Sequence, residues 1–289
     1  MGWSTKKAIR RIFYGLFGLV VLVVVIPLAI LVLVCASVYS ELPDIEPLIN
    51  YRLRIPMQGD TTDGFLIKEI GEERRVFIKI ENVPTTLKQA LLAVEDERFY
   101  EHIGVDLTGI LRTHLTSLRS ERSRQGTSTI TMQVARNFYL NPARGNRHLG
   151  ELLLAVKIER SLSKDQILEI YINQIYLGQH AYGFEAAAQT YFGKPLGELS
   201  LAETALLAGL PKGPSTMNPI VNPGRAKLRR DYVLGRMREL GYIDEAAYQA
   251  AMEEPLQTVS KNATRNPVAL SPIHPEAVAI ANSQPTAGK

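Results

Sequence analysis

Residues 84–106 read PTTLKQALLAVEDERFYEHIGVD, and residues 125–140 read QGTSTITMQVARNFYL. In the first stretch Leu87, Ala90, Leu91 and Val94 recur at i, i+3, i+4 and i+7, which is one apolar face of an α-helix. Pro84 suits the first turn of that helix. Glu95 falls about 80° around the helix from Leu87, at the margin of the apolar face. Partial burial there favours proton uptake, as a general base requires. The plain alternative is a helix-end charge paired with Arg98. Asp96 and Glu97 point elsewhere on the helix, and His102 and Gly104 lie past its end. The second stretch pairs a Gly/Thr/Ser/Gln loop with a helix carrying Arg136.

Helical spacing continues outward. Leu149, Leu152, Leu153 and Val156 predict a second buried stripe. Ser163 with Gln166 and Ser200 with Glu203 have capping-box spacing ahead of ILEIYINQIYLG and TALLAGLP. Gly178 and Pro211 are stop signals, and further helices are predicted over RAKLRRDYVLGRMREL and DEAAYQAAM. Residues 41–83 instead hold short alternating runs, FLIKEI and RRVFIKI, separated by Gly/Asp turns. They predict a small β element or hairpin. The composition turns polar and Pro/Ser/Thr/Asn-rich after Pro255, so 254–289 reads as a disordered tail.

Lys6, Lys7, Arg10 and Arg11 precede an apolar run from Phe13 to Val38. Its length exceeds the roughly 20 residues that span a bilayer, so 13–38 is expected to be an uncleaved anchor. The basic tail 1–12 places the N-terminus in the cytoplasm and the rest outside. One cysteine, Cys35, excludes an internal disulfide framework. A net charge of +4 is too mild to argue for nucleic acid. Arg112, Arg119, Arg122 and Arg124 still make a local basic stretch suited to anionic head groups or phosphates.

The motifs carry a resemblance. EDERFYEHIG is similar to the first signature of the family 51 glycosyltransferases, the peptidoglycan polymerases, and GTSTITMQ to their second. The run from RHLGE to YFGK resembles their third to fifth, and the likeness covers roughly 43–253. It implies a mainly α, lysozyme-like domain over 84–253, behind a single transmembrane helix and the small β region 41–83. It implies polymerisation of lipid II with inversion and release of a polyprenyl diphosphate. Glu95 matches the general base for the acceptor hydroxyl, and Glu151 matches the second acid, which assists the departing diphosphate. Glu159, two turns on, is its rival. Asp96, His102, Arg112, Ser128, Thr129, Gln133, Arg136 and Arg144 match substrate-binding positions, and residues 107–125 match the segment that dips into the membrane. The resemblance implies no required cofactor and no protein metal site, and leaves room for a divalent cation at the diphosphate. The implied partners are lipid II, the growing glycan strand, the membrane and other cell-wall synthesis proteins. The implied location is the inner membrane, with the catalytic domain periplasmic.

Three positions depart from the family pattern. Met132 stands in place of Gln, and His148 and Gly150 replace two lysines before Glu151. An impaired domain that binds lipid II or cell-wall partners is the alternative they leave open. On the same logic, lysines restored at 148 and 150 are expected to raise activity. SLSK at 161–164 and SKN at 260–262 have transpeptidase spacing, but no Lys-Thr-Gly accompanies them and no transpeptidase half is expected.

Overall fold

The computed structural model describes residues 10, 13–46, 48, 74–117, 128–138 and 147–259. FLIKEI and most of 41–83, the basic stretch 118–127, Arg144 and the segment from 260 onward lie outside them. The described chain is mainly helical. In order, α1 is Phe13–Ser40, α2 Thr85–Glu95, α3 Leu107–Ser117, α4 Ile130–Phe138, α5 Arg147–Glu159 and α6 Lys164–Gln174. Then come α7 Phe184–Phe192, α8 Leu201–Gly209, α9 Pro223–Glu239 and α10 Glu245–Glu253. Two short strands, β1 Arg74–Arg75 and β2 Ala181–Tyr182, complete it.

The apolar helix α1 has a mean hydropathy of 3.4 over its most apolar window, and none of that window is buried in the protein. Val21–Val25 form a π turn in which the Ile26 N–H donates to the Val21 carbonyl. Pro27 lacks an N–H, and its ring crowds the carbonyl four residues back. The wider turn just ahead of it lets the helix run on without a break.

The chain divides into two compact units. The first comprises 1–64, 79–81 and 95–174. In it α4 packs on α5 and α6, and Ile130, Val134, Ala135, Leu154, Ala155, Ile158, Ile167 and Leu168 are buried. Its capping pair forms as expected: the Ser163 N–H donates to Gln166 Oε1 at 2.8 Å and the Gln166 N–H to Ser163 Oγ at 3.3 Å. The stripe expected on α5 is corrected. Leu149, Leu152, Leu153 and Val156 are only half-buried, and the buried positions are Gly150, Glu151, Leu154, Ala155 and Ile158. The physical reason is a second neighbour, because α5 packs on the foot of α1 as well as on α4. Lys157 Nζ donates to the Pro43 carbonyl at 3.0 Å on that side.

The second unit comprises 65–78, 82–94 and 175–289. Leu87, Ala90, Leu91 and Ala93 of α2 are buried in it. Pro84 stands just before the first turn, where its carbonyl accepts the Leu87 and Lys88 N–H groups. β1 pairs in parallel with β2, Arg74 opposite Ala181, so the described part of the β region finds its partner far along the chain, not across a local turn. Ser200 and Glu203 form the full capping box on α8, which passes into a 3-10 turn at Leu210–Lys212 containing Pro211. Arg230 is fully buried and donates to the Glu254 and Met252 carbonyls, closing the end of α10.

Candidate active site

The first unit gathers the two signature stretches. Glu95 is the last residue of α2, and the loop after it is clasped to the start of α4. The His102 side chain is nearly buried, and its Nε2 lies 2.9 and 3.0 Å from the two Asp96 oxygens. The Gly104 N–H donates to His102 Nδ1 at 3.1 Å. A nitrogen that accepts carries no proton, so Nε2–H is the end that donates to Asp96. Asp96 also accepts the Ile130 N–H at 2.9 Å. This sets a carboxylate at the N-terminus of α4, where the helix dipole favours negative charge. Thr129 closes the clasp: its hydroxyl donates to the Gly104 carbonyl at 2.6 Å and accepts the Met132 N–H at 3.1 Å.

From this start α4 presents Gln133 and Arg136, three residues apart and so neighbours on one face. Gln133 Nε2 donates to Glu95 Oε2 at 2.7 Å. Arg136 Nε donates to Glu151 Oε2 at 3.2 Å, and its Nη2 donates to Ser128 Oγ at 3.1 Å. One helical turn therefore holds both candidate carboxylates. Their environments differ. Glu95 is half-buried, whereas the Glu151 side chain is only 1% exposed and its guanidinium partner 37%.

Glu159, the rival acid, is engaged elsewhere. Its Oε1 accepts from Thr131 Oγ1 and from Lys164 Nζ, both at 2.6 Å. Lys164 also sits over the buried Phe99 ring at 4.5 Å. Next to Phe99, the Tyr100 hydroxyl donates to Asp165 Oδ1 at 2.8 Å. Burial, then that bond to Asp165, pushes its ionisation up to about 12. Arg98 pairs with Glu101 at 2.8 Å and with Asp106 at 3.4 Å.

The expected substrate residues thus separate. Ser128, Gln133 and Arg136 come together around the two carboxylates. Asp96, His102 and Thr129 were expected at the ligand, but their polar atoms are engaged inside the protein. Arg112 is exposed on α3, and Arg144 lies outside the described residues. Met132 is buried. His148 is 91% exposed, with Nδ1 3.9 Å from Glu151 Oε2. Gly150 is buried near the start of α5. Sequence reasoning missed Tyr171, whose buried hydroxyl lies 3.4 Å from Gln133 Oε1. The signal that could have found it is that a buried tyrosine hydroxyl needs a polar partner. The described residues hold no group of three or more His, Cys, Asp and Glu placed to bind a metal ion.

A family model described as transglycosylase matches residues 63–238. The chain is 51% identical over 217 residues to penicillin-binding protein 1A of Pseudomonas aeruginosa, a match covering 75% of this chain and 26% of that protein. It is 48% identical over 253 residues to penicillin-binding protein 1A of Neisseria gonorrhoeae, covering 87% of this chain and 31% of that one. A crystal structure of penicillin-binding protein 1A from Haemophilus influenzae aligns at 36% identity with a TM-score of 0.42, over 68% of this chain and 20% of the other. The chain belongs to the transglycosylase family. It spans about a quarter to a third of the length of the curated relatives it matches.

Proposed function

We propose that this chain polymerises lipid II into glycan strands as a membrane-anchored peptidoglycan glycosyltransferase of cell-wall synthesis. The observation that supports it most is the face of α4, where Gln133 holds Glu95 and Arg136 holds Glu151. In this reading Glu95 takes the proton from the acceptor 4-hydroxyl as that oxygen attacks the anomeric carbon, inverting it. Arg136 and Ser128, with Arg112 and Arg144, receive the donor diphosphate, since a guanidinium fork suits phosphate oxygens. Glu151 orients Arg136 and assists the departing group. Asp96, His102 and Thr129 act as the frame that sets Glu95 against α4. Both carboxylates have their partners in place, which favours catalysis over a binding module.

The membrane supplies the substrate. α1 is long and apolar enough to span it, and Ile103, Leu107 and Leu111 leave exposed apolar side chains on the same unit. With the basic residues ahead of α1, the N-terminus is cytoplasmic and the catalytic domain periplasmic. The growing glycan strand and other cell-wall synthesis proteins are the partners this assigns.

The test is Glu95→Gln, assayed with labelled lipid II and gel separation of glycan products. Polymerisation falls roughly 10²–10⁴-fold, the usual share of general-base help, while thermal unfolding is unchanged. A variant keeping more than half of the parental rate overturns the assignment.

A further inference from the structure

Tyr171 lies on α6 and is 1% exposed. Its hydroxyl is 3.4 Å from Gln133 Oε1, and the other end of the same amide, Nε2, is 2.7 Å from Glu95 Oε2. An ionised carboxylate only accepts hydrogen bonds. The amide must therefore turn its NH2 toward Glu95, which leaves its oxygen toward the phenol, and the phenol O–H donates. Rotating the amide by half a turn would set its oxygen against a carboxylate oxygen. At 3.4 Å the phenol contact is long for an O–H donor. Its contribution is to direction more than to strength.

We propose that Tyr171 is a positioning residue for the general base: its hydroxyl keeps the N–H end of the Gln133 amide on Glu95, fixing the rotation of the carboxylate. The inference rests on reading Glu95 as that base. The three residues come from α6, α4 and the last residue of α2, all within the first unit.

The experiment is a cycle on the full chain with lipid II as substrate: Tyr171→Phe, Gln133→Met and the double variant. Tyr171→Phe keeps the ring and removes only the hydroxyl. It lowers kcat about two- to threefold, less than the loss of one ordinary hydrogen bond would, and leaves KM unchanged. In the Gln133→Met background, where no amide remains to be oriented, it has no further effect. The acid limb of the kcat/KM profile moves to higher pH in Tyr171→Phe, because a carboxylate that loses a donor holds its proton more tightly. A purely structural tyrosine would lower the thermal midpoint and multiply with Gln133→Met without moving that limb. Independent, multiplying losses, or parental kcat in Tyr171→Phe, overturn the proposal. Activity retained in Glu95→Gln would remove the base itself, and the cycle would still report whether Tyr171 acts through Gln133.

Discussion

Arg136 was expected as a phosphate ligand, and its geometry gives it a second role. Its guanidinium joins Ser128 to a carboxylate that water barely reaches. Arg136→Ala is expected to cost about 1–3 kcal/mol of stability by withdrawing a donor from a buried charged group, and also to weaken lipid II binding. Thermal denaturation and a lipid II binding assay read the two effects separately. Parental values in both would take Arg136 out of the site. At this scale the sequence was legible where a motif names a residue by position, as at Glu95, Gln133 and Arg136. It was illegible where a side chain's partner is set by tertiary approach. Nothing in the spacing of Glu151 and Arg147 says that Glu151 meets Arg136 on another helix. Nothing near Glu159 distinguishes it from Glu151 until Lys164 and Thr131 arrive beside it.

Among the elements, the loop between α2 and α3 is tightly constrained at one glycine. Gly104 has φ +96°, a conformation that side chains rarely adopt, and a Cβ there would lie 2.9 Å from the Ala155 carbonyl carbon and oxygen on α5. Gly104→Ala therefore meets both a backbone penalty of about 1–2 kcal/mol and a contact that α5 must move to relieve. It is expected to lower the unfolding midpoint by several degrees, since 1 kcal/mol corresponds to roughly 2–4 °C at this size. It also loosens the Thr129 and His102 bonds that Gly104 shares, so activity falls with it. An unchanged midpoint in calorimetry would show that the loop can rearrange freely. The capping pairs Ser163–Gln166 and Ser200–Glu203 were legible at this scale because they depend on neighbours within one turn, whereas Gly178 is not the stop of its helix, which ends at Gln174. The buried face of α5 was not legible, because two helices cover α5 and the apolar pattern alone cannot say how they share it.

For the molecule as a whole, α1 and the body it precedes ask for different solvents. Alkaline carbonate should leave the chain in the membrane pellet, and detergent should release it, as a helix of this length and hydropathy requires. Release by carbonate alone would remove the anchor from the account. The pairing of β1 with β2 has a consequence in time. Arg74 must wait for Ala181, a little over a hundred residues later, and at synthesis rates of about 5–20 residues per second that delay is roughly 5–20 s. In that interval the stretch 95–174 is complete and can pack, while the unit that includes β1 and most of α2 still lacks its second half. The clasp and the face of α4 can thus form before the flanks of the chain have met.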